Sequence, residues 1–265
     1  MFQLKIIVCI KQVPATSSVE IDPTTGVLKR EGVESKMNPY DLYALETALR
    51  LKEKTEGSIT TVTMGPPQAQ SVIEESFILG ADQGYLFSDR KFAGSDVLAT
   101  AYTLSQGIGL LGEFDLIVCG KQTTDGDTAQ VGPELAEFLG IPHVTWVREI
   151  TEVTADKIVV KQDLGNSYAI LELPYPSLLT VEKDIFQPRL PSYRRKLLTA
   201  GQQVKVFTFS DFIDHNEQKY GLNGSATQVE RIFPPLTKQD QTCWEEPAPV
   251  VAEKIYELIK DRNFI

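Results

Sequence analysis

Up to residue 181 the chain alternates short apolar runs with longer stretches of helical period. Residues 4–10 (LKIIVCI) are almost continuously apolar, as a strand buried on both faces requires. Residues 19–29 read as a small hairpin whose centre, Asp22-Pro23-Thr24-Thr25-Gly26, is built of turn formers. Asn38-Pro39 opens a helix: Asn38 is a capping residue, Pro39 suits the first helical position, and Asp41 favours the positive end of the dipole. Leu42, Leu45, Ala48 and Leu49 form its apolar stripe, and Gly57 ends it. Strands follow at residues 58–64, 84–88 and 115–119. Helices follow the Gly65-Pro66-Pro67 turn, the capping residue Ser95 and the glycine-rich loop after Cys119.

Strands separated by helices predict an α/β fold with a doubly wound, mainly parallel sheet. Between residues 143 and 181 the texture changes: 144–150, 157–162 and 168–173 read as strands joined by turns, an antiparallel extension. From Phe186 onward the alternation is lost, apart from a terminal helix near residues 249–261. The chain therefore divides into an α/β domain, residues 1–185, and a C-terminal arm, residues 186–265. So little core pattern rarely folds alone, so the arm packs on the domain or, as its size favours, on another subunit. On that reading Phe207, Phe209, Phe212 and Trp244 are contacts to a different subunit.

Composition narrows the function. The net charge of −10 argues against a nucleic-acid partner, which needs a dense basic face. No apolar run approaches a membrane span, and residues 1–13 read as a core strand and not as a signal peptide. Three scattered cysteines, Cys9, Cys119 and Cys243, make neither a disulfide framework nor a metal site, and a reducing cytoplasm fits best. His143 and His215 leave little for histidine catalysis, and no catalytic side chain is assigned.

Open α/β sheets bind ligands beyond the carboxyl ends of their strands, where strand order reverses. Residues 9–12, 63–66 and 120–133 follow strands, and the helix start at 38–41 has room beside them. The segment 120–133 reads GKQTTDGDTAQVGP. Gly120 and Gly126 let backbone approach a ligand, and Asp127 or Thr128 is placed to cap the next helix, whose N-terminus suits a phosphate. The same residues also make an ordinary turn with a capped helix, and they fit neither the dinucleotide glycine fingerprint nor a P-loop.

Together these motifs resemble the β subunit of electron transfer flavoproteins. The resemblance rests on Ile10-Lys11-Gln12-Val13-Pro14, Met37-Asn38-Pro39-Tyr40, Met64-Gly65-Pro66, Leu79-Gly80-Ala81-Asp82 and Gly120-Lys121-Gln122 with its loop to Gly132. Val160-Lys161-Gln162-Asp163 and the segment 173–180 (LPYPSLLT) extend it.

The resemblance implies a cytoplasmic heterodimer with an α subunit, carrying electrons between a reductant and a flavin dehydrogenase of acyl-CoA or 2-hydroxy-acid type. It implies cofactor contacts at Cys9, Asn38, Pro39, Tyr40, Asp41 and Met64, with backbone at Cys9 and Met64 holding the adenine. It adds Gly120, Lys121, Gln122, Thr123, Thr124, Asp125, Gly126, Asp127, Thr128, Ala129, Gln130 and Val131 around the phosphates. Ordinary members hold AMP there. Electron-bifurcating members hold FAD, which takes a hydride from NADH, with a low-potential acceptor such as ferredoxin. Gly126 and Ala129 are smaller than the AMP-type pattern at these positions, so the expected cofactor is FAD, with AMP as the alternative. The basic cluster Arg189, Arg194, Arg195 and Lys196 is either a solvated loop or, by the resemblance, the dehydrogenase-docking segment. A free-standing nucleotide-binding regulatory domain is the remaining reading, and the arm counts against it.

Overall fold

The computed structural model describes residues 2–15, 35–229 and 243–264, so the hairpin expected at 19–29 lies outside it. The described residues up to 229 form one compact unit and those from 243 a second.

The first unit is a nine-stranded sheet. β1 (Lys5–Cys9) lies at its centre, with β4 (Ser58–Met64) and β6 (Leu116–Gly120) on either side, all parallel. Beyond β4 come β5 (Gln83–Phe87) and the edge strand β11 (Lys205–Phe207), also parallel. Beyond β6 come β10 (Ser177–Val181) and β7 (His143–Val153), again parallel. β8 (Lys157–Asp163) and β9 (Tyr168–Pro174) finish that side as the antiparallel extension. A separate two-stranded ribbon pairs β2 (Gln12–Pro14) with β3 (Ser35–Met37). This is the doubly wound, mainly parallel α/β sheet that the alternation predicts.

Both faces of the central strands are covered, which explains their unbroken apolar runs. Ile6, Val8, Leu116 and Val118 face one core, under α1 (Pro39–Thr55) and α2 (Gln70–Leu79). Ile7, Ile117 and Cys119 face the other, under α3 (Val97–Gly109) and α4 (Val131–Leu139).

Several expectations are corrected. Ser177–Val181, grouped above with the antiparallel extension, is a fully buried parallel strand between β6 and β7, because both its faces meet helices. The cap of α3 is Asp96, which accepts from the Ala99 N–H, and not Ser95. α4 begins only at Val131, and neither Asp127 nor Thr128 caps it. The compact unit also runs well past residue 185. β11 pairs with β5, and Phe209, Phe212 and Tyr220 are buried among Phe87, Phe92 and Tyr102 of the same unit. The earlier assignment of Phe207, Phe209 and Phe212 to a different subunit therefore fails. Their spacing follows short turns and a three-residue strand, which carry no helical or alternating period.

Two short helices complete the first unit, α5 (Tyr193–Leu198) and α6 (Gly221–Gly224). The second unit holds α7 (Ala248–Asp261), close to the helix expected at 249–261. Within it Lys254 pairs with Glu246 and lies over the Trp244 ring. Among the described residues no helix is long and apolar enough to cross a membrane.

Candidate functional site

From β1 the chain moves outward on one side, to β4 and β5, then returns to place β6 on the other side of β1. The reversal point is the seam between β1 and β6, the place where open α/β sheets bind their ligands. Cys9, at the end of β1, sits in register with Cys119 of β6 and Val62 of β4. The neighbouring Cys9 thiol and burial push the Cys119 thiol up, so that side chain is an inert part of the core.

The helix start joins this seam by a specific route. The β2–β3 ribbon runs back along the segment after β1, and the Asn38 N–H donates to the Lys11 carbonyl at 2.8 Å. Asn38 holds the N-cap position of α1, as expected, but its side chain makes no capping hydrogen bond. Its amide donates instead to Asp41 Oδ1 and to the Gln122 carbonyl, each at 2.9 Å, while its Oδ1 accepts from the Thr124 N–H at 3.3 Å. Asp41 Oδ2 accepts from the Lys11 N–H at 2.7 Å, and the Gly120 N–H also donates to this carboxyl. Burial pushes the Asp41 pKa up to about 7 against the opposing pull of these donors and of Lys11. Asn38 and Asp41, expected as cofactor contacts, are thus buried and engaged by protein groups. They form a hub that fixes three strand-end segments. Tyr40 and Pro39 are more exposed beside them.

The loop after β6 is braced from outside. Lys11 Nζ reaches both oxygens of Asp125, at 2.7 and 2.8 Å. Burial opposes the Asp125 charge, but Lys11 overrides it and holds the carboxyl below its ordinary range. The Gln122 amide bonds to Asp127, and Lys121 pairs with Glu182 at 2.6 Å. Asp127 and Ala129 both adopt left-handed backbone, with φ of 53° and 57°, as occurs where successive N–H groups turn inward to form an anion-binding concavity. Among the described residues no protein group accepts from the N–H groups of Thr128, Ala129, Gln130 and Val131. These donors lie at and just before the α4 N-terminus, a favourable place for negative charge. A Cβ built on Gly126 meets only Thr123 Oγ1, at 3.5 Å, so the space above it is open. Free donors and open space fit an entering phosphate. Met64, at the end of β4, completes the rim, and the Gln12 side chain bonds to the turn beyond it at the Gln68 carbonyl and Ser71 Oγ.

The model of the Electron transfer flavoprotein domain matches residues 25–211 of this chain. The chain belongs to the electron transfer flavoprotein family. It is 42% identical over 264 residues to the electron transfer flavoprotein subunit beta of Thermoanaerobacterium thermosaccharolyticum, which spans 99% of this chain and 100% of that one. Subunit CarD of the caffeyl-CoA reductase–Etf complex of Acetobacterium woodii is 42% identical over 236 residues, covering 89% of each chain. Protein FixA of Azotobacter vinelandii is 42% identical over 234 residues, covering 86% of this chain and 83% of that one.

In this electron transfer flavoprotein chain, the segments after β1 and β6 and the start of α1 come together at the β1–β6 seam, while Met64 ends β4 on the other side of β1. Residues 9–12 were singled out as a strand-end segment, but two specific roles within them were not. Lys11 braces the loop through Asp125, and Gln12 ties the end of β1 to the turn after β4. Their position directly after the first strand was the available signal. Among the described residues, no group of three or more His, Cys, Asp or Glu side chains is placed to hold a metal.

Proposed function

We propose that this β-subunit-type chain binds FAD at the β1–β6 seam, within a heterodimer with an α subunit. On this reading it passes electrons from NADH to a flavin dehydrogenase of acyl-CoA or 2-hydroxy-acid type and to a low-potential acceptor such as ferredoxin. The observation that carries it is the run of unpartnered N–H donors from Thr128 to Val131 beside the open face of Gly126. Two phosphates in series need more room and more donors than one, and the small Gly126 and Ala129 supply the room. Cys9 and Met64 end the adjacent strands β1 and β4, so their backbone would hold the adenine on this reading, and Lys11 supplies positive charge beside the loop. The flavin supplies hydride acceptance and one-electron release when bound. The protein's share is binding, orientation and the local field.

Leu190, Tyr193 and Leu197 stand exposed beside Arg194, Arg195 and Lys196, a basic and apolar surface on an acidic chain. This surface is read as the dehydrogenase-facing loop.

The deciding experiment is cofactor extraction from the purified αβ complex together with NADH titration. Two FAD per complex and bleaching of flavin absorbance by NADH are expected. One FAD and one AMP, with no reduction by NADH, would leave a simple carrier with a structural nucleotide. A second test is Gly126→Val. The protein leaves space for its Cβ, so thermal stability should be unchanged while nucleotide content at this site falls about tenfold or more, since a clash with a closely approaching ligand costs over 1.4 kcal/mol. Full retention of nucleotide would place the phosphates elsewhere.

A further inference from the structure

We infer that Arg189 is the positioning residue of the exposed loop that precedes and includes α5, and that its anchor is the buried carboxylate of Glu46 on α1; the functional part of this inference rests on the docking reading above. Glu46 is only 2% exposed, an unusual place for a carboxylate unless it is fully paired. Arg189 donates to it three times: from its backbone N–H at 3.2 Å, from Nε at 2.7 Å and from Nη2 at 3.1 Å. Arg50 Nε adds a fourth bond at 2.9 Å, and Arg189 Nη1 reaches Glu53 at 2.8 Å. Burial works against the Glu46 charge, but these donors outweigh it and hold its pKa below the ordinary range. The carboxylate is therefore ionised throughout the neutral region, and the clamp is permanent there.

What the clamp holds is the informative part. The backbone bond fixes the main chain at Arg189, and not merely its side chain. Pro188 and Pro191 bracket it and restrict φ on both sides. Phe186 is tied to the same helix face, with Arg50 over its ring at 5.3 Å. The next residue, Leu190, is 88% exposed. A loop fixed by a buried ion pair, yet presenting a bare leucine, gains nothing for the stability of the chain from that leucine. Rigid presentation does help a partner, because a preorganised loop loses little freedom on binding. The guanidinium fork matters as well as the charge, because lysine cannot make the paired geometry.

The test uses the αβ complex carrying Arg189→Ala, Arg189→Lys or Leu190→Asp. The acceptors are one acyl-CoA dehydrogenase and one 2-hydroxy-acid dehydrogenase, with a small dye as an acceptor that needs no docking. With whichever dehydrogenase accepts electrons from the wild type, Arg189→Ala should raise KM about tenfold, the loss of roughly one to two pre-ordered side chains, with kcat and dye reduction unchanged. Arg189→Lys should fall between the two. Trypsin should cut after Arg194, Arg195 or Lys196 several-fold faster in Arg189→Ala than in the wild type. If Leu190→Asp raises KM but Arg189→Ala does not, the positioning role is overturned. If Leu190→Asp leaves KM unchanged, the docking reading falls, and its consequence for Arg189 falls with it. Unchanged trypsin cleavage in Arg189→Ala overturns the clamp itself, whatever the dehydrogenases do.

Discussion

Asp41→Asn is expected to remove a fall in stability that the wild-type chain undergoes between about pH 4 and pH 7. The Asp41 carboxyl has a folded-state pKa of about 7, against 3.8 for the free group. A group raised in this way contributes stability that is fully present below the lower value and is lost as pH rises through the upper one. The separation corresponds to about 4 kcal/mol between the two limits, at 1.36 kcal/mol per pKa unit. Asparagine does not ionise, so this part of the dependence vanishes. At pH 5 the variant should be the weaker of the two, because its amide turns N–H toward the donors on Asn38 or Lys11, at a cost of about 1–3 kcal/mol. By pH 8 that deficit should close or reverse. Titrating groups remote from the hub are common to both proteins and cancel in the comparison, while Cys119, which feels the Asp41 charge, is itself pushed up, away from the range compared. Thermal or urea unfolding of both proteins at pH 5 and pH 8 measures the difference directly. Parallel behaviour at the two pH values would show that Asp41 ionises as an ordinary surface carboxylate does.

Gly120→Ala should be strongly destabilising. A Cβ at this position would lie 2.5 Å from Asp41 Oδ1, 2.7 Å from the Tyr40 carbonyl carbon and 2.9 Å from Tyr40 Cβ. Two of these neighbours belong to the Tyr40 backbone and Cβ, which cannot rotate away. β6 cannot retreat either, because it is paired on both edges, to β1 and to β10. Overpacking of this kind costs about 3 kcal/mol, which for a chain of this size lowers Tm by roughly 6–12 °C. The damage should also open the hub and reduce nucleotide content. Calorimetry on the variant gives the answer, and an unchanged Tm would mean that the start of α1 stands off from β6. The contrast with Gly126 is instructive. Both glycines lie in one segment, but the protein packs against Gly120 and leaves the space above Gly126 open.

The parts of this fold that were legible in the sequence are those with a strong period. Ser58–Met64 was read to the residue, and the three strands of the antiparallel extension to within a few residues. β11 and the aromatic cluster around Phe212 and Tyr220 were not legible, because a three-residue strand and isolated turns carry no period. The four candidate segments stand out in the sequence because each follows a strand or opens a helix. Their division of labour was hidden. Nothing local to Asn38-Pro39-Tyr40-Asp41 says that Asn38 and Asp41 turn inward to each other. That follows only when the β2–β3 ribbon sets them against Lys11, Gly120 and Gln122. Likewise, Glu46 reads in sequence as one more charge on a helix, and its partner stands 143 residues away.

β11 has a consequence for the chain's solubility. A parallel sheet that ended at β5 would leave an open row of amide and carbonyl groups along Gln83–Phe87, a template for another copy. The return of residues 205–207 occupies that row with a strand too short to recruit a further one, and Lys205 sets a charge on it. The same return lays Phe207 over Tyr85 and Phe87. The segment that looks least like part of the domain therefore closes the β5 edge of the sheet to a further strand.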